Sequence, residues 1–151
     1  MIAGLLVPTT GTATILGYSV RESPLDVKRL IGYMPDQFGV YPNVSVYEYL
    51  DFFSACYRME EKTRKRLINE LLDLVDLTNR RNDRVDQLSQ GFKQRLSLAR
   101  ALIHDPKVLL LDEPAAGLDP RARVEIRALL TELSRMGKTV FFSSHILSDV
   151  A

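Results

Sequence analysis

Four consecutive aliphatic residues, Val108-Leu109-Leu110-Leu111, run directly into two adjacent carboxylates, Asp112-Glu113. A stretch that is apolar at every position suits a strand covered on both faces, so it is expected at the centre of a parallel sheet. Parallel neighbours need a crossover, and the chain that follows supplies one. Asp119 as N-cap and Pro120 at the first helical position open a helix whose buried stripe is Ile126, Leu129, Leu130 and Leu133, and Gly137 stops it. Thr139-Val140-Phe141-Phe142 then reads as a second buried strand. Strand, helix and strand in that order make a right-handed parallel crossover, so the second half of the chain is α/β.

The first half has a different texture. Thr12-Ala13-Thr14-Ile15-Leu16, between Gly11 and Gly17, predicts a short strand closed by a glycine turn, and Leu30 to Met34 predicts another, stopped by Pro35. Ser45-Val46-Tyr47-Glu48 has the S-x-x-E pattern of a capping box, and Val46, Tyr49, Leu50, Phe53 and Tyr57 follow at helical spacing. From Glu61 to Leu77 a further helix is expected, with Leu67, Leu71, Leu74 and Val75 on its apolar face and Lys62, Arg64, Lys65 and Arg66 in solvent. Thr78 to Asp86 reads as a connecting loop, and residues 45–103 are mainly helical.

At 151 residues the chain is read as one core. Its 20 basic and 19 acidic residues leave a net charge of +1, which gives no electrostatic reason to expect nucleic acid as a partner. No apolar run approaches the roughly 18 residues that cross a bilayer, and the first eight residues lack the basic start of a signal peptide. The single cysteine, Cys56, cannot form an internal disulfide and is expected to be a buried thiol in a reducing compartment.

Three places carry chemistry. Asp112 and Glu113 end their strand at the carboxyl edge, where open sheets bind ligands; in nucleotide hydrolases a strand-end Asp helps to hold Mg²⁺ and a neighbouring acid can orient or deprotonate water. The alternative is a strand that simply runs into an acidic surface loop. Leu88-Ser89-Gln90-Gly91 precedes a helix with Phe92, Leu96, Ala99 and Ile103 facing inward. A hydroxyl, backbone N–H groups and the positive dipole end converge there on an anion, unless Ser89 is only a helix cap. Ser143-Ser144-His145 ends the last strand on the same edge as Asp112 if the two strands are parallel. A lone histidine such as His145 is otherwise more often structural.

In this order and spacing, these segments resemble the ATP-binding cassette (ABC) ATPase family over essentially the whole chain. Leu88-Ser89-Gln90-Gly91 is similar to its signature motif, Leu109 to Glu113 to its Walker B strand, Ala116-Gly117-Leu118-Asp119 to its D-loop, His145 to its switch histidine and Tyr33 to Gln37 to its Q-loop. Gly-Tyr-Met-Pro-Asp at 32–36 followed by Tyr47-Glu48-Tyr49-Leu50 is most similar to bacterial exporter ATPases of the multidrug and polysaccharide type. The resemblance implies a P-loop NTPase-like α/β parallel-sheet core, from about 1–44 and 104–151, with a mainly helical signature subdomain at about 45–103.

It also implies residue roles. Asp112 would support Mg²⁺, Glu113 would be the general base, and His145 would contact the γ-phosphate of ATP. Ser89, Gln90 and Gly91 would bind the γ-phosphate of a nucleotide held by a second ATPase subunit, and Asp119 would lie at that interface. The Q-loop position directly after Pro35 is Asp36, a departure from the family, with Gln37 one place later. Gln37 is favoured at the metal, because an amide oxygen adds no charge beside Asp112 and Glu113, and Asp36 is expected to turn toward the loop backbone or the membrane partner. The implied partner is a transmembrane permease subunit, which places the protein in the cytoplasm on the inner face of the cell membrane.

The chain departs from the family at Gln90 and Phe92, where Gly and Gln are usual, and above all in having no G-x-x-x-x-G-K-[ST] phosphate loop. Gly137-Lys138-Thr139 does not make one, because Glu132 stands where the first glycine belongs and the segment leads from helix to strand. The resemblance therefore implies a domain incomplete at both ends and inactive alone. Two other readings stay open: a non-transport ABC ATPase, and a regulatory module offering only its signature motif to a complete partner.

Overall fold

In a computed structural model, which describes residues 1–37, 39 and 41–144, a three-stranded parallel sheet packs on a cluster of helices. The chain opens with a small antiparallel hairpin, β1 (Thr14–Ile15) and β2 (Tyr18–Ser19). Its two-residue loop, Leu16–Gly17, has positive φ at both positions, the geometry whose twist suits a tight hairpin. The strand expected over Thr12–Leu16 is thus shorter, because Leu16 belongs to the turn. Helix α1 (Pro24–Leu30) follows, with Pro24 in its first turn and Lys28 and Arg29 in its last.

The sheet has the order β3-β4-β5, formed by Ile31–Met34, Val108–Asp112 and Thr139–Ser143, and both pairings are parallel. The strand ending in Asp112 is central, as its apolar run predicts. Between β3 and β4 the chain makes α2 (Val46–Cys56), α3 (Glu61–Leu74) and α4 (Gln90–Leu102); between β4 and β5 it makes α5 (Pro120–Arg135). The capping box at Ser45 is complete. Glu48 N–H donates to Ser45 Oγ, and the Glu48 carboxylate accepts from Ser45 N–H at 2.8 Å. Asp119 caps α5 by accepting the Ala122 N–H at 2.9 Å, and Gly137 ends it at a φ of 88°.

Helix α4 is the axis of the core. Leu96, Ser97, Leu98, Ala99, Ala101 and Leu102 are all buried, far more of the circumference than the one-sided stripe expected from Phe92, Leu96, Ala99 and Ile103. It packs against α2 and α3 on one side and β3 on the other. Each large aliphatic side chain so buried contributes about 1.5–3 kcal/mol of transfer free energy. Gly32 of β3 is the tightest contact with α4. A Cβ there would collide with the Ala101 carbonyl oxygen and come within 2.8 Å of Leu109 Cδ2 and Pro106 Cγ. His104, just beyond α4, reinforces the junction by donating from Nε2 to the Ile31 carbonyl at 2.9 Å and stacking on Tyr57. Burial holds its imidazole below the usual histidine pKa.

Several expectations are corrected. The sheet is covered unequally: Leu109 and Leu111 are buried under the helices, whereas Val108 and Leu110, on the opposite face, are only half-buried. β5 is not a buried strand, since Phe141 on that opposite face is 64% exposed and no helix among the described residues packs over it. In α3 the buried face is Ile68, Leu71, Leu72 and Val75, rotated from the one expected, with Leu67 and Leu74 half-buried at its margins. Cys56 is exposed at the end of α2, not buried.

The segment Thr78–Asp86 is more than a connector. It forms one short 3₁₀ turn (Thr78–Arg80) and begins a second (Val85–Gln87), and its backbone holds the start of α2: Val46 N–H donates to Asp83 O and Tyr47 N–H to Arg81 O.

Replacing Gly32 by alanine should cost about 1–3 kcal/mol or more, because backbone oxygen and packed side chains already fill the space. Gly137→Ala meets nothing within 4 Å and should cost only about 1 kcal/mol, for its left-handed backbone. Urea unfolding of both variants checks the ordering.

Candidate functional site

Because all three strands are parallel, their carboxyl ends share one edge of the sheet. Asp36 and Gln37 leave β3 there after Pro35, and both are exposed. Asp112 closes β4 and Ser143 closes β5, and the two are partners in register. The Ser143 hydroxyl donates to Asp112 Oδ1 at 2.6 Å and accepts the Glu113 N–H at 3.1 Å. Asp112 is exposed and Glu113 half-buried. Glu113 has a φ of 48°, the left-handed region that side chains other than glycine seldom adopt, and its carbonyl accepts the Ala116 N–H. The chain therefore bends sharply at the acid pair before entering the 114–119 loop.

That loop carries the next residues into a second locus. Ser89 caps α4 and accepts the Phe92 N–H at a long 3.5 Å, so its hydroxyl hydrogen is still available as a donor. Gln90 and Gly91 occupy the first turn. A cleft of about 220 Å³ is bounded by Ser89, Gln90 and Gly91 on one side and Gly117 and Asp119 on the other. Gly117, at a φ of 70°, lets the loop pass beside the Gln90 side chain. At the far end Arg95 joins three elements: it donates to the Val75 carbonyl at the end of α3 and pairs with Glu125 of α5 at 2.7 Å.

The expected site residues thus fall into two groups. Asp36, Gln37, Asp112 and Glu113 share the sheet edge; Ser89, Gln90, Gly91 and Asp119 meet at the cleft. His145 lies outside the described residues. The sequence sets Ser143 on this edge but does not by itself reveal the bridge it makes, although aligning the two apolar strands in parallel sets Ser143 opposite Asp112.

Neither locus is an all-protein metal cage. Among the described residues no three His, Cys, Asp or Glu side chains gather to hold an ion. The donors at the edge are a carboxylate and an amide oxygen, hard ligands that suit Mg²⁺, an ion that usually keeps waters and takes its other ligands from substrate phosphates. The donor set fits that partial role.

Residues 1–116 match the family model described as ABC transporter. The chain is 40% identical over 149 residues to the Nod factor export ATP-binding protein I of Rhizobium meliloti, covering 99% of this chain and 44% of the relative. It superposes on cbiO1 from Clostridium perfringens, part of the ABC transporter complex cbiONQ, with a TM-score of 0.87 at 27% identity, covering 99% of this chain and 61% of that one. A dimeric ATP-binding cassette bound to ADP and Pi in a post-hydrolysis state gives a TM-score of 0.84 at 29% identity, over 98% of this chain and 68% of that one. The chain spans between about a quarter and three fifths of the length of the curated relatives that it matches.

Gly91 gives a test of what its position requires. Its backbone is helical and a Cβ would meet Ala122 and Leu118 only at 3.8 Å, an ordinary contact. Gly91→Ala should therefore leave stability unchanged or raise it by about 0.5–1 kcal/mol, the helix-interior preference for alanine. A lowered urea midpoint would show that the fold itself needs the glycine.

Proposed function

The chain belongs to the ABC transporter family, and we propose that it is part of an ATP-hydrolysing subunit that drives export through a separate transmembrane permease, acting as a pair with a second ATPase subunit. The observation that carries this reading is the acid pair at the carboxyl end of the central parallel strand, with Asp112 held by Ser143 and Glu113 at a bend. The similarity to a Nod factor export protein supports the direction, and the similarity to a cassette solved as a dimer with ADP and Pi supports the pairing and the nucleotide. No helix among the described residues is long and apolar enough to cross a membrane. A cytoplasmic position on the inner face of the membrane, reached through the permease, accords with that, and the near-neutral charge gives no reason to add nucleic acid as a partner.

In this reading Asp112 holds Mg²⁺, and Gln37 rather than Asp36 adds a neutral oxygen. The ion, when bound with ATP, neutralises charge on the phosphate oxygens. Glu113 accepts the proton of the attacking water, and His145 hydrogen-bonds the γ-phosphate. Across the subunit contact, the Ser89 hydroxyl and the first N–H groups of α4, at Gln90 and Gly91, receive the γ-phosphate of the second subunit's nucleotide, where the positive helix end favours the anion. Asp119, fixed by its own cap to Ala122, stands at that contact. These 151 residues contain no G-x-x-x-x-G-K-[ST], so the phosphate cradle comes from outside them and the segment alone is inactive.

In the protein carrying the segment with its phosphate loop, Glu113→Gln should leave ATP binding intact and slow hydrolysis roughly 10²–10⁴-fold, the loss expected for a general base. Unchanged turnover with collapsed ATP affinity would make Glu113 a binding residue and sink the assignment.

Pairing is tested by mixing subunits. A Ser89→Arg subunit combined with one lacking its phosphate-loop lysine should hydrolyse more ATP than either variant alone, because one composite site then escapes both defects. No gain on mixing would leave Ser89 as a helix cap.

A further inference from the structure

The hydroxyl of Ser143 is tied to both members of the acid pair, and neither bond is needed to hold β5 in the sheet. β4 and β5 are already paired from Val108–Thr139 to Asp112–Ser143, and Ser143 is an exposed terminal residue. Its O–H donates to Asp112 Oδ1 at 2.6 Å, within the short range of a bond to an ionised carboxylate, and its oxygen accepts the Glu113 N–H at 3.1 Å. One atom thus constrains two things that otherwise vary independently: the rotation of the Asp112 carboxylate and the left-handed backbone of Glu113. Oδ1 is engaged from the β5 side, and among the described residues no hydrogen bond to Oδ2 competes with an incoming ligand. Only a small side chain with a hydroxyl can donate to one neighbour and accept from the next at this spacing.

We propose that Ser143 is a positioning residue that presents the Asp112 carboxylate to the metal–nucleotide and holds the Glu113 bend from which the base acts. The inference rests on the ATPase reading above. It separates Ser143 from residues that touch nucleotide: Ser143 acts through Asp112 and Glu113, so its loss changes metal dependence and turnover while the affinity for metal-free nucleotide stays constant.

Three variants in the protein carrying the phosphate loop decide it: Ser143→Ala, Ser143→Thr, which keeps the hydroxyl, and Ser143→Val, which keeps the shape of threonine without it. Binding of a fluorescent ATP analogue is titrated with and without Mg²⁺, and kcat and KM for ATP are measured separately. For Ser143→Ala and Ser143→Val, the Mg²⁺ midpoint in the binding titration should rise and kcat should fall, each about tenfold, at the low end of what losing a partner of a metal-holding group costs. Metal-free affinity should not move, KM for Mg²⁺-bound ATP should rise together with the Mg²⁺ midpoint because both are linked through the same ternary complex, and Ser143→Thr should behave as wild type. Hydrogen exchange at the Glu113 amide should quicken in the alanine and valine variants only.

The proposal is overturned if the alanine and valine variants match wild type in Mg²⁺ midpoint and kcat, or if threonine fails as badly as valine. Wild-type protein that binds ATP without any Mg²⁺ response overturns the ATPase reading itself, and this inference with it. Normal wild-type hydrolysis with no effect of Ser143→Ala overturns Ser143 alone.

Discussion

The contact between Gly32 and helix α4 sets the geometry from which the remainder follows. With no side chain at residue 32, β3 lies directly on the Ala101 carbonyl, with Leu109 and Pro106 closing around it. That approach locks the sheet to the buried helix, and α4 in turn organises α2 and α3, with which it shares one hydrophobic core. A helix buried around most of its circumference has few ways to rotate or slide, because interiors are packed as densely as organic crystals. Its N-terminus, where Ser89 stands, is consequently placed by steric contact at its other end.

The same helix explains how two separated groups of residues can act as parts of one machine. The sheet edge with Asp112 and Glu113 is joined to the cleft at Ser89 by the short 114–119 loop, anchored at its exit by the Asp119 cap on α5. Arg95 ties α4 to the ends of α3 and α5 through the Val75 carbonyl and Glu125. A shift of α5 therefore bears on the second turn of α4, at Arg95, through bonded contacts as well as packing.

Local chemistry made much of this legible in the sequence. The capping box at Ser45, the Asp119-Pro120 helix start and the Gly137 stop each depend on residues within a few positions of one another, and each stands in the structure as the pattern implies. The apolar run of β4 marks the central strand but not its half-open face. What was missed depends on distant neighbours. Whether Phe141 is buried is decided by what covers one face of the sheet. The rotation of α3 follows from where α4 lies, which a pattern centred on Leu67 and Leu74 does not register. Cys56 was expected to be buried from the habits of its residue type, but it falls at the last residue of α2, past the packed face. The edge on which Asp36, Gln37, Asp112 and Glu113 meet followed from parallel order. The bridge at Ser143 needed register, which only the paired strands supply.

That register has a weakness written into β5. Its residues come in like pairs, Phe141-Phe142 and Ser143-Ser144, so a strand displaced by one residue would set Ser144 beside Asp112 and Phe142 beside Leu110. Those two rungs look alike in either alignment and cannot discriminate between them; on the other face the slip would bury a serine where Phe142 belongs. The strand's entrance adds a second, polar check on the alignment. There Thr139 N–H bonds the Lys107 carbonyl, and Lys138, only 11% exposed, reaches Asp105 and the Pro106 carbonyl. The lysine that fails to make a phosphate loop thus serves as an index mark, reading the alignment of a strand whose own letters repeat.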